Sequence, residues 1–159
     1  MRTFSLWCTN KTIHYIYQLK EMRIAIINGV NLGCLGTREV NIYGAQTFED
    51  YFAQLQQMFP DIELNYFQSD KIEELVDALR KGEQCDGIIM NPGAYTHTAI
   101  VLADTVRSIN TPVVEVHISN LFGRELYRRR SVISAHCAGF ISGFGLQGYE
   151  LAIRHFASR

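Results

Sequence analysis

The sequence lacks the features that mark several large classes of protein. No apolar run approaches the roughly 20 residues needed to span a bilayer. Lys and Arg total 15 against 16 Asp and Glu, so no basic field favours binding to nucleic acid or to an anionic membrane surface. Three prolines and 12 glycines in 159 residues are too few for a linker-like or collagen-like chain. What remains is a globular protein of about one domain's length.

Cysteine is also sparse. The four cysteines are far apart and none belongs to a C-x-x-C pair: Cys8, Cys34, Cys85 and Cys137. Because metal and redox sites need thiols that converge, we expect reduced thiols, a cytoplasmic protein and no bound metal. No His/Cys group has the spacing of a zinc site, and the loop after the first apolar run lacks the G-x-G-x-x-G spacing of a nucleotide site. Polar residues interrupt the apolar residues 4–7 at once, so a secretory signal is not expected.

Short apolar runs alternate with segments of helical period from residue 23 onward. The runs fall at residues 24–28, 62–67, 87–91, 112–119 and 138–142. Such runs, rich in Ile and Val in three of the five cases, are typical of buried strands. Their alternation with helices predicts an α/β protein with a flavodoxin-like, doubly wound, five-stranded parallel sheet in a three-layer sandwich. We expect residues 22–159 to form this single domain.

The intervening segments carry helix signals. Thr47 and Asp70 are placed to cap the first two helices. A third helix begins near residue 100, residues 124–130 form a short fourth helix, and residues 148–157 form the last. In the last helix, the helical period makes Leu151, Ala152, His155 and Phe156 adjacent.

Polar side chains follow the predicted strands, where ligands bind in this fold. Amide, imidazole and hydroxyl groups are concentrated there, together with glycine: Asn31, Asn91, Gly93, Thr96, His97, His117, Ser119 and Asn120. Helix capping accounts for only part of this inventory. The sequence therefore predicts a ligand site at one edge of the sheet.

Two histidines are candidates for chemistry. Glu115 and His117 lie two residues apart in a predicted strand, so their side chains share a face. A carboxylate in this position orients the imidazole and keeps it protonated, which makes His117 a candidate general acid; the alternative is a core pair without a catalytic role. His97 opens the third helix in T-H-T, where it either meets a ligand or belongs to a simple cap.

Arginines and a tyrosine are the remaining candidates. Arg124 and Arg128 would share a helix face and bind a carboxylate or phosphate, unless they form a solvated face or a subunit contact. The loop over residues 33–44 has the length of a lid and carries Arg38 and Tyr43. A tyrosine acts as a base at pH 7 only if its pKa falls from about 10 to about 7. That change takes roughly 4 kcal/mol and needs a close cation; otherwise Tyr43 is a packed aromatic that anchors the loop.

Five motifs follow one another from residue 23 to about residue 154. They read N-G-V-N-L-G-C-L-G-T-R-E-V-N-I-Y-G, Q-S-D, N-P-G-A-Y-T-H-T-A, E-V-H-I-S-N with the arginines after it, and G-F-G-L-Q-G-Y. In this order and spacing they resemble type II 3-dehydroquinate dehydratase of the shikimate or quinate pathway. The resemblance implies a flavodoxin-like subunit, usually in a dodecamer built from trimers. It also implies reversible loss of water from 3-dehydroquinate to 3-dehydroshikimate through an enolate, with no metal and no cofactor.

By motif match, the resemblance assigns roles to individual residues. Tyr43 is the base that removes the proton next to the ketone, and Arg38 lowers the pKa of Tyr43. His117, supported by Glu115, protonates the departing hydroxyl. Asn31, with a water that it holds, stabilises the enolate oxygen. The residues implied to bind substrate, close the lid or reach a neighbouring subunit's site are Asn91, Gly93, His97, Ile118, Ser119, Arg128, Arg124 and Asp104.

The chain departs from the family pattern in three places. Val30 and Val40 stand where the family usually has proline, and we expect looser turns there because valine lacks the fixed φ of proline. Residues 1–21 match nothing in the family and are expected to be an extension that assembly and turnover do not need. The competing function is a non-catalytic module of the same fold that binds a flavin or a polyol acid.

Overall fold

The structure is a computed structural model that describes residues 22–36 and 46–159. The extension expected at residues 1–21 lies outside these ranges, as do Arg38, Val40 and Tyr43 of the expected lid. Strands and helices alternate along the described residues, as the apolar pattern predicts. No helix in these ranges is long and apolar enough to cross a bilayer.

Five strands form one parallel sheet, with bounds close to the predicted ones. They are β1 (Met22–Asn28), β2 (Ile62–Gln68), β3 (Gly87–Asn91), β4 (Val113–His117) and β5 (Gly139–Ser142). The strand order is β2-β1-β3-β4-β5, and every neighbouring pair is parallel. This is the flavodoxin-type order, so the predicted fold class is confirmed.

Four helices cover the two faces of the sheet within the described residues. They are α1 (Phe48–Met58), α2 (Ile72–Lys81), α3 (Ile100–Ser108) and α4 (Gln147–Ala157). Ile24 and Ile26 of β1 pack in the cluster that includes α1 and α4, whereas Ala25 and Ile27 pack in the cluster that includes α2 and α3. Because both faces of β1 are buried, its central residues 24–27 are all apolar, and the fold is the predicted three-layer sandwich.

The two predicted helix caps have different outcomes. Thr47 caps α1 as predicted, since its Oγ1 accepts a hydrogen bond at 3.1 Å from the backbone N–H three residues on. The prediction for Asp70 is wrong, because α2 has no side-chain cap. Asp70 Oδ1 instead accepts from the Asn31 backbone N–H at 2.9 Å and from Gln68 Nε2 at 3.0 Å. Asp70 therefore holds the turn after β1.

The prediction of a short helix over residues 124–130 is also wrong. Within this segment only Leu126–Arg128 forms a 3₁₀ turn, and a second 3₁₀ turn, Leu121–Gly123, lies before it. Glu125 lies between them, and its Oε2 is 3.7 Å from Arg124 Nε and 3.4 Å from Arg128 Nε. The two arginines are therefore neighbours through a shared carboxylate and not through helical periodicity.

Candidate active site

A cavity of about 190 Å³ opens at the carboxyl ends of β1, β3 and β4. β2 and β3 lie on opposite sides of β1, so the direction of the strand order reverses here, which is where doubly wound folds bind ligands. Residues predicted for the site line this one cavity: Asn31, Asn91, Gly93, His97, His117, Ile118, Ser119, Arg124 and Arg128. The parallel sheet thus brings together side chains from three separate strand ends.

Asn31 lies in a left-handed turn directly after β1. Its φ of 67° and ψ of 0° are values that asparagine tolerates better than most residues. Its backbone N–H donates to Asp70 Oδ1 at 2.9 Å, and that oxygen also accepts from Gln68 Nε2. The loop after β2 therefore fixes the turn that carries Asn31 into the cavity lining.

Glu115 and His117 form the buried pair expected from their spacing. His117 Nε2 lies 2.7 Å from Glu115 Oε1, and the two residues are 4% and 0% exposed. Because an ionised carboxylate only accepts hydrogen bonds, Nε2 carries the proton of this bond. Nδ1 is then the ring nitrogen left for the cavity that His117 lines.

Two hydroxyl groups complete the surroundings of Glu115. The Thr96 hydroxyl donates to Glu115 Oε1, and Ser131 Oγ lies 2.9 Å from Oε2 and 3.1 Å from Oε1. Ser131 Oγ also accepts from two backbone N–H groups that follow it in the chain, at 3.1 and 2.8 Å. A buried carboxylate is destabilising unless its oxygens are bonded, so these hydroxyls stabilise the group that orients His117.

His97 is oriented by a backbone carbonyl. Its Nδ1 lies 2.7 Å from the carbonyl oxygen of Arg130. Since a carbonyl only accepts, Nδ1 carries the proton and Nε2 is the acceptor in a neutral ring. α3 has no side-chain cap, so His97 is not a capping residue. Of the two interpretations of T-H-T, the structure favours the one in which His97 meets a ligand in the cavity.

Arg124 and Arg128 bring positive charge to the rim of the cavity. Their side chains are 25% and 29% exposed. Arg124 Nη1 lies 3.5 Å from Ser119 Oγ, and the Arg128 guanidinium lies 5.1 Å from the ring centre of Tyr127. Guanidinium groups at this position suit an anionic ligand.

The glycines after β5 hold the end of β4. Residues 143–148 read G-F-G-L-Q-G, which is the spacing of a dinucleotide-binding loop. Here the N–H groups of Gly143 and Gly145 donate to the carbonyl oxygens of His117 and Ile118, at 3.1 and 3.0 Å. These donors are used within the protein, so the loop braces the segment that carries His117 and does not cradle a phosphate.

Gly93 lies where the turns after β1 and β3 meet. Its φ is +61°, and a Cβ at this position would lie 2.5 Å from the Val30 carbonyl oxygen. Gly145 has almost the same φ, +60°, but nothing lies within 4 Å of a Cβ built there. Alanine substitutions at the two glycines therefore separate the effect of backbone strain from the effect of a steric clash.

We expect Gly93→Ala to lower the free energy of unfolding by about 2–5 kcal/mol, because left-handed alanine costs about 1–2 kcal/mol and overpacking about 1–3 kcal/mol more. Gly145→Ala carries only the first of these costs, about 1–2 kcal/mol. In a chain of this size 1 kcal/mol shifts Tm by about 2–4 °C, so thermal unfolding followed by circular dichroism distinguishes the variants. Equal decreases in Tm for the two variants would contradict the close approach of a Gly93 Cβ to the Val30 carbonyl oxygen.

Some predicted site residues do not line the cavity. Glu115 lies behind His117 and acts on it through their hydrogen bond. Asp104 is exposed on α3, where its Oδ1 lies 3.0 Å from Arg107 Nη2. Its implied role in a neighbouring subunit's site stays a prediction. Arg38 and Tyr43 lie outside the described residues, so their roles also stay predictions.

Sequence reasoning missed residues of two kinds. The first kind is the largely apolar part of the lining, which no polar pattern marks: Val30, Leu32, Cys34, Leu35, Ala94 and Leu121. The second kind supports the site from behind. Thr96 carried a signal as a polar residue after a strand, but its partner Glu115 could not be inferred. Ser131 carried no signal. Among the described residues, no group of three or more His, Cys, Asp or Glu could hold a metal ion.

Comparisons with known proteins point to one family. The family model described as "Dehydroquinase class II" matches residues 22–157. A 3-dehydroquinate dehydratase from Pelodictyon phaeoclathratiforme is 44% identical over 140 residues, which cover 86% of this chain and 92% of that protein. One from Bacillus licheniformis is 47% identical over 136 residues, which cover 84% and 94%. The crystal structure of type II dehydroquinase from Propionibacterium acnes matches with a TM-score of 0.83 at 38% identity, over 86% of this chain and 97% of that one. In sequence and in fold, the chain belongs to the class II dehydroquinase family.

Proposed function

We propose that this chain is a cytoplasmic hydro-lyase that reversibly removes water from 3-dehydroquinate to give 3-dehydroshikimate in the shikimate pathway. Family membership and the names of its relatives support this reaction. The observation that carries the proposal is His117, an imidazole oriented by a buried carboxylate in the wall of the cavity.

The reaction needs a base for a C–H proton and an acid for the departing hydroxyl. In the proposed mechanism, the Tyr43 phenolate takes the proton next to the ketone, and the guanidinium of Arg38 stabilises that phenolate. The electrons of the C–H bond form an enolate, whose oxygen is stabilised by Asn31 and a water. As the enolate collapses, the C–O bond breaks, and the imidazolium of His117 gives the proton on its Nδ1 to the hydroxyl, which leaves as water.

The rest of the cavity suits a small carboxylate with several hydroxyl groups. The substrate carboxylate is proposed to bind the backbone N–H groups of Ile118 and Ser119 and the Ser119 hydroxyl. Arg124, which contacts Ser119 Oγ, adds positive charge beside this group and helps to close the lid. The groups proposed to bind the ring hydroxyls are the side chains of Asn91, His97 and Arg128, together with the turn at Gly93.

The proposed function is tested by adding 3-dehydroquinate to the purified protein. The product has a conjugated double bond, so turnover raises the ultraviolet absorbance. We expect turnover without added metal or cofactor, also in the presence of a chelator. An unchanged absorbance would contradict the proposal, and a flavin spectrum in the purified protein would favour the ligand-binding module instead.

Cys34 gives a test of the cavity that does not depend on turnover. Its side chain is exposed and lines the cavity, whereas burial raises the pKa of the Cys137 thiol to about 12. At pH 8 only about one Cys137 in ten thousand is therefore a thiolate, the form that reacts. We expect iodoacetamide to modify Cys34 and not Cys137, and saturating substrate to slow the modification of Cys34. Peptide mass spectrometry measures both rates, and Cys34 labelling that substrate does not change would contradict this placement of the substrate.

A homododecamer made of four trimers is part of the same proposal. Asp104, on the exposed side of α3, is proposed to reach the active site of a neighbouring subunit. Ile100 and Val101 on the same helix are 66% and 48% exposed, and exposed apolar residues are typical of subunit contacts. Light scattering on the eluting protein would give its mass, and a monomer at assay concentrations would contradict this assembly.

Residues 1–21 are proposed to be dispensable, since the family match begins at residue 22. A chain that starts at Met22 is expected to keep the turnover and the mass of the full chain. The absorbance assay and light scattering measure both properties. If the shortened chain were an inactive monomer, the extension would be part of the functional unit.

A further inference from the structure

We propose that Tyr149, a residue of the C-terminal helix α4, is a positioning residue that holds Asn91 in the orientation in which it meets the substrate. The proposal rests on the proposed function, because it assumes that Asn91 binds a ring hydroxyl. Tyr149 itself is 0% exposed and is not part of the cavity lining. Its hydroxyl contacts two asparagines that end neighbouring strands, Asn28 on β1 and Asn91 on β3.

The hydrogen bonds between these residues form a chain in which each group donates to the next. The Gly93 backbone N–H donates to Asn91 Oδ1 at 3.2 Å, which fixes the oxygen of the Asn91 amide on that side. Asn91 Nδ2 then points to Tyr149 and donates to its Oη at 2.8 Å. Since Oη accepts there, its own proton goes to Asn28 Oδ1, also at 2.8 Å. The amide of Asn91 is therefore held from both ends.

Burial keeps this arrangement in place. Desolvation raises the pKa of Tyr149 well above its ordinary value, so the hydroxyl always has a proton to donate to Asn28. Asn28 and Asn91 are 0% and 3% exposed, so bulk water has little access to either amide. Without the hydroxyl, Asn91 would be free to rotate away from Gly93 toward another partner, because a buried amide must find one.

Tyr149 also joins the two turns that form the cavity. Asn28 and Asn91 are paired in the sheet, and the Gly29 N–H donates to the Asn91 carbonyl oxygen at 2.7 Å. The turn with Asn31 follows Asn28, and the turn with Gly93 follows Asn91. The Tyr149 hydroxyl is thus a side-chain link between these strand ends.

The test is Tyr149→Phe in the full chain, which removes one oxygen atom and keeps the ring. We expect KM for 3-dehydroquinate to rise about tenfold, the effect of one lost hydrogen bond, with kcat within about threefold of wild type. Tyr51→Phe is the matched control. Tyr51 packs against the same ring, Phe48, but bonds to neither asparagine, so its KM should stay within about twofold of wild type.

A double variant distinguishes positioning from general support. Asn91→Ala removes the group through which Tyr149 acts, so adding Tyr149→Phe to it should change KM by less than about twofold. If Tyr149→Phe raises KM about tenfold in the Asn91→Ala background as well, or if the single variant lowers Tm and leaves KM unchanged, the inference is overturned.

If Tyr149→Phe does not fold, the test is Asn28→Ala, which removes the acceptor of the Tyr149 hydroxyl. This variant is expected to raise KM in the same way, and an unchanged KM would overturn the inference. Wild-type protein without turnover would overturn the proposed function and this inference together, whereas wild-type turnover with an unchanged KM in Tyr149→Phe overturns the inference alone.

Discussion

Replacing His117 with glutamine is expected to lower kcat by about 10²–10⁴-fold, which is the usual contribution of a general acid. Glutamine can still donate an N–H to Glu115 Oε1, so the buried carboxylate keeps all of its donors. An amide cannot release a proton at neutral pH, so the hydroxyl would have to leave as hydroxide. The change therefore removes the proton and keeps the local structure.

The matched control for this substitution is His155→Gln. His155 is an exposed residue of α4 and does not line the cavity. We expect steady-state kinetics to give wild-type kcat and KM for this control, and Tm values that are similar for both variants. A kcat for His117→Gln within about threefold of wild type would mean that another group protonates the leaving hydroxyl.

The Glu115–His117 pair could be predicted because it depends on one strand alone. The period of two in a β-strand places residues 115 and 117 on one face, whatever the rest of the chain does. The place of the cavity could be predicted for a similar reason, since all strands of a parallel sheet end at the same edge. Neither inference needs knowledge of which helix packs where.

Contacts between distant segments could not be predicted in this way. Ser131 reaches Glu115 from a 3₁₀-rich segment, and nothing local to S-V-I-S indicates a carboxylate partner. Tyr149 meets Asn91 and Asn28 across 58 and 121 residues of sequence. The helical period over residues 148–157 makes Leu151, Ala152, His155 and Phe156 adjacent and does not mark Tyr149.

Tyr149 and Ile153 belong to the buried face of α4. Which face of this helix is buried depends on how the helix packs against β3 and β4. The sequence of a short helix allows more than one apolar stripe, and only the sheet decides between them. Asp70 illustrates the same limit of prediction from sequence, here at the start of a helix. An aspartate before a helix is a typical cap, but the Asn31 N–H and Gln68 compete for the same carboxylate oxygen.

Tyr43→Phe is expected to abolish turnover almost completely, by about 10³-fold or more in kcat, because phenylalanine keeps the shape of the side chain and lacks the oxygen that takes the proton. Substrate binding should change little, since no binding role is assigned to the phenol. Tyr127→Phe is the control, because Tyr127 is 67% exposed and its ring, not its hydroxyl, contacts Arg128. Near-normal turnover in Tyr43→Phe would show that the base has been assigned to the wrong residue.

The pH dependence of a second variant connects Tyr43 to Arg38. A tyrosine acts as the base only when it is deprotonated, and its ordinary pKa is about 10. If Arg38 lowers the pKa of Tyr43, Arg38→Gln raises that pKa again, and a smaller fraction of phenolate remains at pH 7. The acid limb of kcat/KM is then expected to move to higher pH, so that the variant recovers activity relative to wild type between about pH 7 and pH 10. A fall in activity by the same factor at every pH would mean that Arg38 contributes through binding or closure, and that the phenol is made acidic by some other group.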